Sequence, residues 1–242
     1  MICVENLVKH FGTFIAIENI TFSVNQGTVL GFLGPNGAGK TTTMRIITGF
    51  FSPTSGRVRL CGYDIERNAI KAKHMFGYLP EGIPAYLEMI PADYLDFIAT
   101  VRGYKGHKKK TVIDDVIDKL SLSEVLYQPI ETLSKGFKRR VGLAQAILHD
   151  PPILILDEPT DGLDPNQKHE VRTLLKTMAG EKAIIVSTHI LEEVEAICTE
   201  ALILNKGRII AHGHPDGDNW QFGDRHAKPG QLDILFRDLT MN

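Results

Sequence analysis

The run Gly34, Pro35, Asn36, Gly37, Ala38, Gly39, Lys40, Thr41 has the spacing G-x-x-x-x-G-K-T, and Thr42 carries it into a helix-forming stretch. Glycines in such a run let successive backbone N–H groups turn inward toward phosphate oxygens, while the start of the following helix adds partial positive charge. Lys40 is then placed to reach β- and γ-phosphates, and the Thr41 hydroxyl to ligate Mg²⁺. A glycine-rich turn that merely joins strand to helix has no need of Lys and Thr directly after its last glycine. Further along, the apolar run Ile153 to Leu156 ends in Asp157 and Glu158, with Pro159 stopping the extended chain. An Asp at the C-terminal end of a buried parallel strand can hold Mg²⁺ through water. Glu158 beside it can orient, and take a proton from, a water attacking the γ-phosphate. His189, at the end of AIIVST, stands where an imidazole can contact the same phosphate. Lys40, Glu158 and His189 are the expected catalytic set.

These groups need particular elements to hold them. VLGFL before the glycine run, ILIL before Asp157 and AIIVS before Thr188 are short continuous apolar runs, as expected of strands buried on both faces of a parallel sheet. Residues 1–30 instead alternate apolar and polar (Ile2, Val4; Ile15, Ile17; Ile20, Phe22, Val24), with turn residues at Gly12, Asn25 and Gly27, and predict short antiparallel strands. From about Glu81 to Leu133 the spacing becomes helical, carried by Tyr94, Leu95, Phe97, Ile98 and Val101; the basic GHKKK is expected as a solvated loop before a helix begun at Thr111. Residues 213–230 are rich in Gly, Pro and charge and are expected to form a loop, in part disordered. Leu232, Leu235, Phe236 and Leu239 fall on one face of a short helix, expected to dock on its own domain.

Composition excludes several classes. The 242 residues are 43% hydrophobic and 23% charged, enough for a proper core. A formal net charge of -2 lacks the basic footprint of a nucleic-acid binder. Cys3, Cys61 and Cys198 are far apart and without CxxC spacing, so neither a disulfide framework nor a zinc site is expected. Apart from His189 the histidines, His212 and His214 included, read as surface or loop residues rather than metal ligands. MICVENLVKHFG has no leader pattern, and no apolar run approaches the roughly 18 residues needed to cross a bilayer.

The features so far suit several P-loop NTPases. Leu133-Ser134-Lys135-Gly136-Phe137, followed by KRRVGLAQAIL and some way before Asp157, narrows them, because it resembles the signature motif of the ABC ATPase family. Lys135 stands where Gly is commonest and Phe137 where Gln is commonest, as in the branch serving export-type transporters. The resemblance, over about residues 1–212, implies an α/β fold: a P-loop NTPase core with a mixed sheet, an N-terminal antiparallel β subdomain and an inserted α-helical subdomain at about 82–145. Residues 213–242 would follow as a polar loop and a short C-terminal amphipathic helix. It implies ATP and Mg²⁺ as ligands, Phe11 stacking on adenine, and Thr41, Asp157 and Glu81 at the metal, with Glu81 standing where the family usually has Gln. It also implies that Ser134 and Gly136 contact ATP held by a second ATPase subunit, identical or different, and that Asp161-Gly162-Leu163-Asp164 communicates across that interface. ATP would close the pair and hydrolysis would open it. The motion would pass to transmembrane permease subunits on a separate chain through contacts around Tyr86 to Tyr94, with the chain peripheral on the cytoplasmic face of the membrane. Two other readings compete. A soluble ABC ATPase of DNA repair or translation would carry two cassettes, coiled coils or basic arms, and a non-hydrolysing module would have lost Lys40, Glu158 or His189.

Overall fold

The computed structural model describes the chain except residues 83–84, 217–218, 229–230 and 241–242. At the N-terminus the alternating pattern pairs β1 (Ile2–Phe11) antiparallel with β2 (Phe14–Val24). These are two long strands rather than several short ones, because left-handed kinks at Asn6 (φ 47°) and Asn19 (φ 52°) take up shifts in register without ending either strand. One further departure is that Ile15 is exposed while Ile17, Ile20 and Val24 are buried. β3 (Val29–Leu33) leaves for a second sheet and is followed by helix α1 (Lys40–Ile47). β4 (Ser55–Leu60) and β5 (Tyr63–Asp64) return to the first sheet, whose order is β2-β1-β4-β5.

After α2 (Ala69–His74), the second sheet collects β6 (Phe76–Leu79), β7 (Ile153–Asp157), β8 (Ala183–Ser187), β9 (Glu200–Asn205), β10 (Arg208–Asp216), β11 (Asn219–Phe222) and β12 (Arg225–Ala227) in the order β12-β11-β10-β9-β3-β8-β7-β6. From β6 to β9 the pairing is parallel, and from β9 to β12 antiparallel. Every residue of β3, β7 and β8 is buried, which is why those runs are apolar without alternation. Successive side chains of β7 enter opposite cores. Ile153 and Ile155 pack with α1 and the first sheet, whereas Leu154 and Leu156 pack with the helices on the other face.

Those helices are α3 (Pro91–Val101), α4 (Gly106–Lys119), α5 (Lys135–Ile147), α6 (Pro165–Ala179) and α7 (Leu191–Ile197). α4 begins earlier than the expected Thr111 and absorbs the basic run. Lysines are good helix formers, and Lys109 reaches Asp96 on α3 at 2.5 Å, tying the first turn down. The expected loop at 213–230 is also corrected, since its described residues include the end of β10 and all of β11 and β12. Trp220 and Phe222 alternate with polar neighbours, stack at 6.0 Å and bury against α8 (Leu232–Thr240), whose Leu232 and Leu235 face the same core. That docking removes apolar surface from water, a gain invisible in a composition of Gly, Pro and charge. Gly213 is required here, because a Cβ would lie 2.4 Å from the Phe222 ring.

His149 departs from its surface reading. Its Nε2 lies 3.1 Å from the Phe76 carbonyl, its Nδ1 is buried without a partner, and burial, reinforced by Arg102, pushes its pKa down to about 4. Cys3, Cys61 and Cys198 are free thiols. Among the described residues no helix is long and apolar enough to cross a membrane, and no cluster of His, Cys, Asp or Glu has the makings of a separate metal site.

Candidate functional site

Residues 34–39 leave the C-terminal end of β3 and turn into α1. The turn depends on glycine: Gly37 (φ 79°) and Gly39 (φ 106°) are left-handed, and a Cβ on Gly39 would meet Ile17 and the Ala16 carbonyl. No side chain caps the start of α1, so its first N–H groups face the cavity beside the loop. That cavity, about 210 Å³, is lined by Phe14, Ala16 and residues 36–42. Lys40 is almost buried, and its Nζ donates to the carbonyls of Gly34 at 2.6 Å and Pro35 at 3.2 Å. Burial lowers its pKa, against the pull of Glu158, Asp157 and Glu81.

Parallel pairing of β7 with β8 sets Asp157 opposite Ser187, so the residues after each strand share one edge of the sheet. Asp157 is 2% exposed; it accepts from Ser187 Oγ at 2.7 Å and from Thr41 Oγ1 at 3.4 Å. Desolvation raises its pKa, opposed by Ser187, Arg139 and Lys40. Two oxygens from Thr41 and Asp157 beside the phosphate loop suit a hard divalent cation. Glu158 has a left-handed backbone (φ 51°) and gives its N–H to the Ser187 carbonyl at 2.9 Å. Its Oε1 accepts from the His189 backbone N–H at 3.1 Å and lies 2.7 Å from His189 Nδ1, while Oε2 accepts from Thr188 Oγ1 at 3.3 Å. A carboxylate so held can accept a proton, and the imidazole beside it keeps its Nε2 for another partner.

Most of the expected residues converge here. Glu81 lies near enough for its charge to act on Lys40 and Asp157. Phe11 does not line the cavity; its ring stands edge-on to Phe51 at 5.5 Å, with Lys9 Nζ 4.9 Å from the ring centre. Phe14, at the other end of the β1–β2 turn and 63% exposed, borders the cavity instead. Ser134 and Gly136 also lie off that cavity. Ser134 caps α5, accepting from the Phe137 N–H at 3.3 Å, and Gly136 is packed against Gln167 and Gly162. Lys135 bridges to Asp161 at 2.7 Å, which holds that carboxyl below its usual range.

Arg139 is a site residue that sequence reasoning missed. It stands in the basic run KRR that continues the signature motif, yet it is 4% exposed and donates to the backbone carbonyls of Pro80, Glu81, Asp157 and Glu158. The available signal was its helical spacing from Gly136, Leu143 and Ala146, which places it on the buried face of α5.

Comparison with known proteins agrees with this geometry. The family model described as ABC transporter matches residues 17–161. The uncharacterized ABC transporter ATP-binding protein YhcH of Bacillus subtilis (strain 168) is 39% identical over 208 residues, 85% of this chain and 67% of the relative. Nod factor export ATP-binding protein I of Ralstonia nicotianae is 33% identical, over 89% of this chain and 67% of its own length. A solved structure described as an ATP binding subunit of an ABC transporter superposes with a TM-score of 0.87 at 28% identity, covering 99% of each chain. With its phosphate loop, strand-end carboxylates and signature helix in one fold, the chain belongs to the ABC transporter family.

Proposed function

We propose that this chain binds ATP with Mg²⁺ at residues 34–42 and hydrolyses it to drive a transporter whose membrane-spanning subunits lie on a separate chain. The carrying observation is the Glu158 carboxylate, held by Thr188 and His189 on the strand edge that also presents Asp157 to Thr41. Water attacks the γ-phosphorus, the bond to the β–γ bridging oxygen breaks, and Glu158 takes the proton of the water. Lys40 turns from the Gly34 and Pro35 carbonyls to the β- and γ-oxygens, and His189 offers Nε2 to the γ-phosphate. Thr41 and Asp157, with Glu81 beside them, would hold the metal, which neutralises phosphate charge when bound. The turn between β1 and β2, with Phe11 and Phe14, receives the adenine ring.

Ser134 and Gly136, remote from their own phosphate cavity, act on ATP held by a second ATPase subunit, either another copy or a related chain. The membrane partner sits in a groove of about 540 Å³ between α3 and the sheet, where Phe50, Ile70 and Val101 are exposed beside Phe76 and Ile98. The exposed Tyr86 ring, packed on the half-exposed Phe97 at 5.9 Å, offers that partner a second apolar contact, while Tyr94 is buried in the core. Such a location is peripheral, on the cytoplasmic face. Similarity to the Ralstonia export protein favours outward transport. The test is phosphate release with Mg²⁺, run beside Glu158→Gln on a sizing column with and without ATP. Hydrolysis by the wild type and an ATP-dependent dimer of the variant are expected. A variant that hydrolyses like the wild type would remove Glu158 from the reaction.

A further inference from the structure

Arg139 lies on the second turn of α5, and its guanidinium carries five N–H groups in a planar fork. Nε donates to the Glu158 carbonyl at 2.8 Å, Nη1 to those of Pro80 at 2.8 Å and Glu81 at 2.9 Å, and Nη2 to those of Asp157 and Glu158. Every donor therefore ends on backbone, and the backbone belongs to two separate segments: the loop after β6 and the end of β7. A lysine, with its donors on a single point, cannot span both.

Glu158 is the terminus that matters chemically. Its left-handed backbone (φ 51°) is one that non-glycine residues avoid. Two of the guanidinium donors hold its carbonyl from one side while Ser187 takes its N–H from the other. With both peptide groups pinned, the side chain leaves toward Thr188 and His189. Any shift of the 80–81 loop pulls on the same guanidinium.

We propose that Arg139 is the positioning residue through which the loop at Pro80 and Glu81 sets the orientation of Glu158. The inference rests on Glu158 acting on the attacking water, as proposed above. It is tested with Arg139→Lys and Arg139→Gln, each alone and combined with Glu158→Gln, by steady-state hydrolysis and by titration with a fluorescent ATP analogue. Each single variant is expected to lose at least about tenfold in kcat while nucleotide affinity changes less than about threefold. In the Glu158→Gln background the residual rate should fall no further than about twofold, because both changes disable one unit. A kcat within about twofold of wild type, a further loss in the Glu158→Gln background, or an affinity loss matching the rate loss would each overturn the proposal. Wild-type hydrolysis by Glu158→Gln alone would instead remove the premise, and the inference with it. If the Arg139 variants do not fold, Pro80→Gly serves, since it leaves the guanidinium in place and loosens only its far anchor. The same fall in kcat with the same non-additivity is then expected, and an unchanged kcat overturns the inference.

Discussion

Lys40 is a cation that water barely reaches, satisfied for the moment by two carbonyls of its own loop. Replacing it with Met removes a donor aimed at charge that grows during phosphoryl transfer, and kcat/KM should fall by about 10²–10³. Phosphate-release kinetics read this directly, and a smaller loss would mean that the backbone cradle suffices. Asp157, its pKa raised by burial, must be ionised to hold the metal. Proton and metal therefore compete for it, and the Mg²⁺ concentration that half-saturates hydrolysis should rise as the pH falls. His149 acts on stability instead. Its folded pKa, about 4, lies below the usual 6.5 because the site is dry and Arg102 is near. The folded state thus resists protonation that the unfolded chain accepts. The linked stability is complete above about pH 6.5 and is lost as pH falls toward 4, by up to about 3 kcal/mol. Urea titrations across that window should show wild-type stability falling as the pH falls while His149→Gln loses most of that slope; equal slopes in the two proteins would mean that this residue does not carry the effect.

At the scale of elements, two contacts decide how the site is aligned. Asp164, in the segment read from sequence as communicating across subunits, is the N-cap of α6. Its Oδ1 accepts from the Gln167 N–H at 2.9 Å, and Gln167 Oε1 accepts from the Asp164 N–H in return. Asp164→Ala should cost about 1 kcal/mol by chemical denaturation, whatever it does to activity. Gly77 on β6 lets α5 approach so closely that a Cβ would lie 1.9 Å from the Ala146 carbonyl. Gly77→Ala must separate strand and helix, and with them the Gln145 bond to the Tyr78 carbonyl at 2.6 Å. A destabilisation of about 2 kcal/mol or more is expected, and an unchanged urea midpoint would contradict this packing.

For the whole molecule, the test concerns how far one core extends. Trp220 is the only tryptophan, 5% exposed, and its cluster runs without a break from β11 and α8 through the sheet to α3 and α5. Its fluorescence should start blue-shifted and change at the same urea midpoint as far-UV circular dichroism. An earlier fluorescence transition would mean that the C-terminal layer opens separately.

The proposed chemistry is legible in spacing alone: a glycine run with Lys and Thr behind it, carboxylates after an apolar strand and a histidine after another can be read there, because local backbone geometry and strand burial dictate them. The sequence by itself also determined the parallel core, since runs such as ILIL leave no polar face. Tertiary structure decided the rest. Whether 213–227 forms strands depended on burying Trp220 and Phe222 under α8, and whether Arg139 is solvated or central depended on which carbonyls the fold brought to it. Phe14, rather than Phe11, reached the cavity because Phe51 claimed the other ring. These outcomes rest on partners far away in the chain, and only packing specifies such partners.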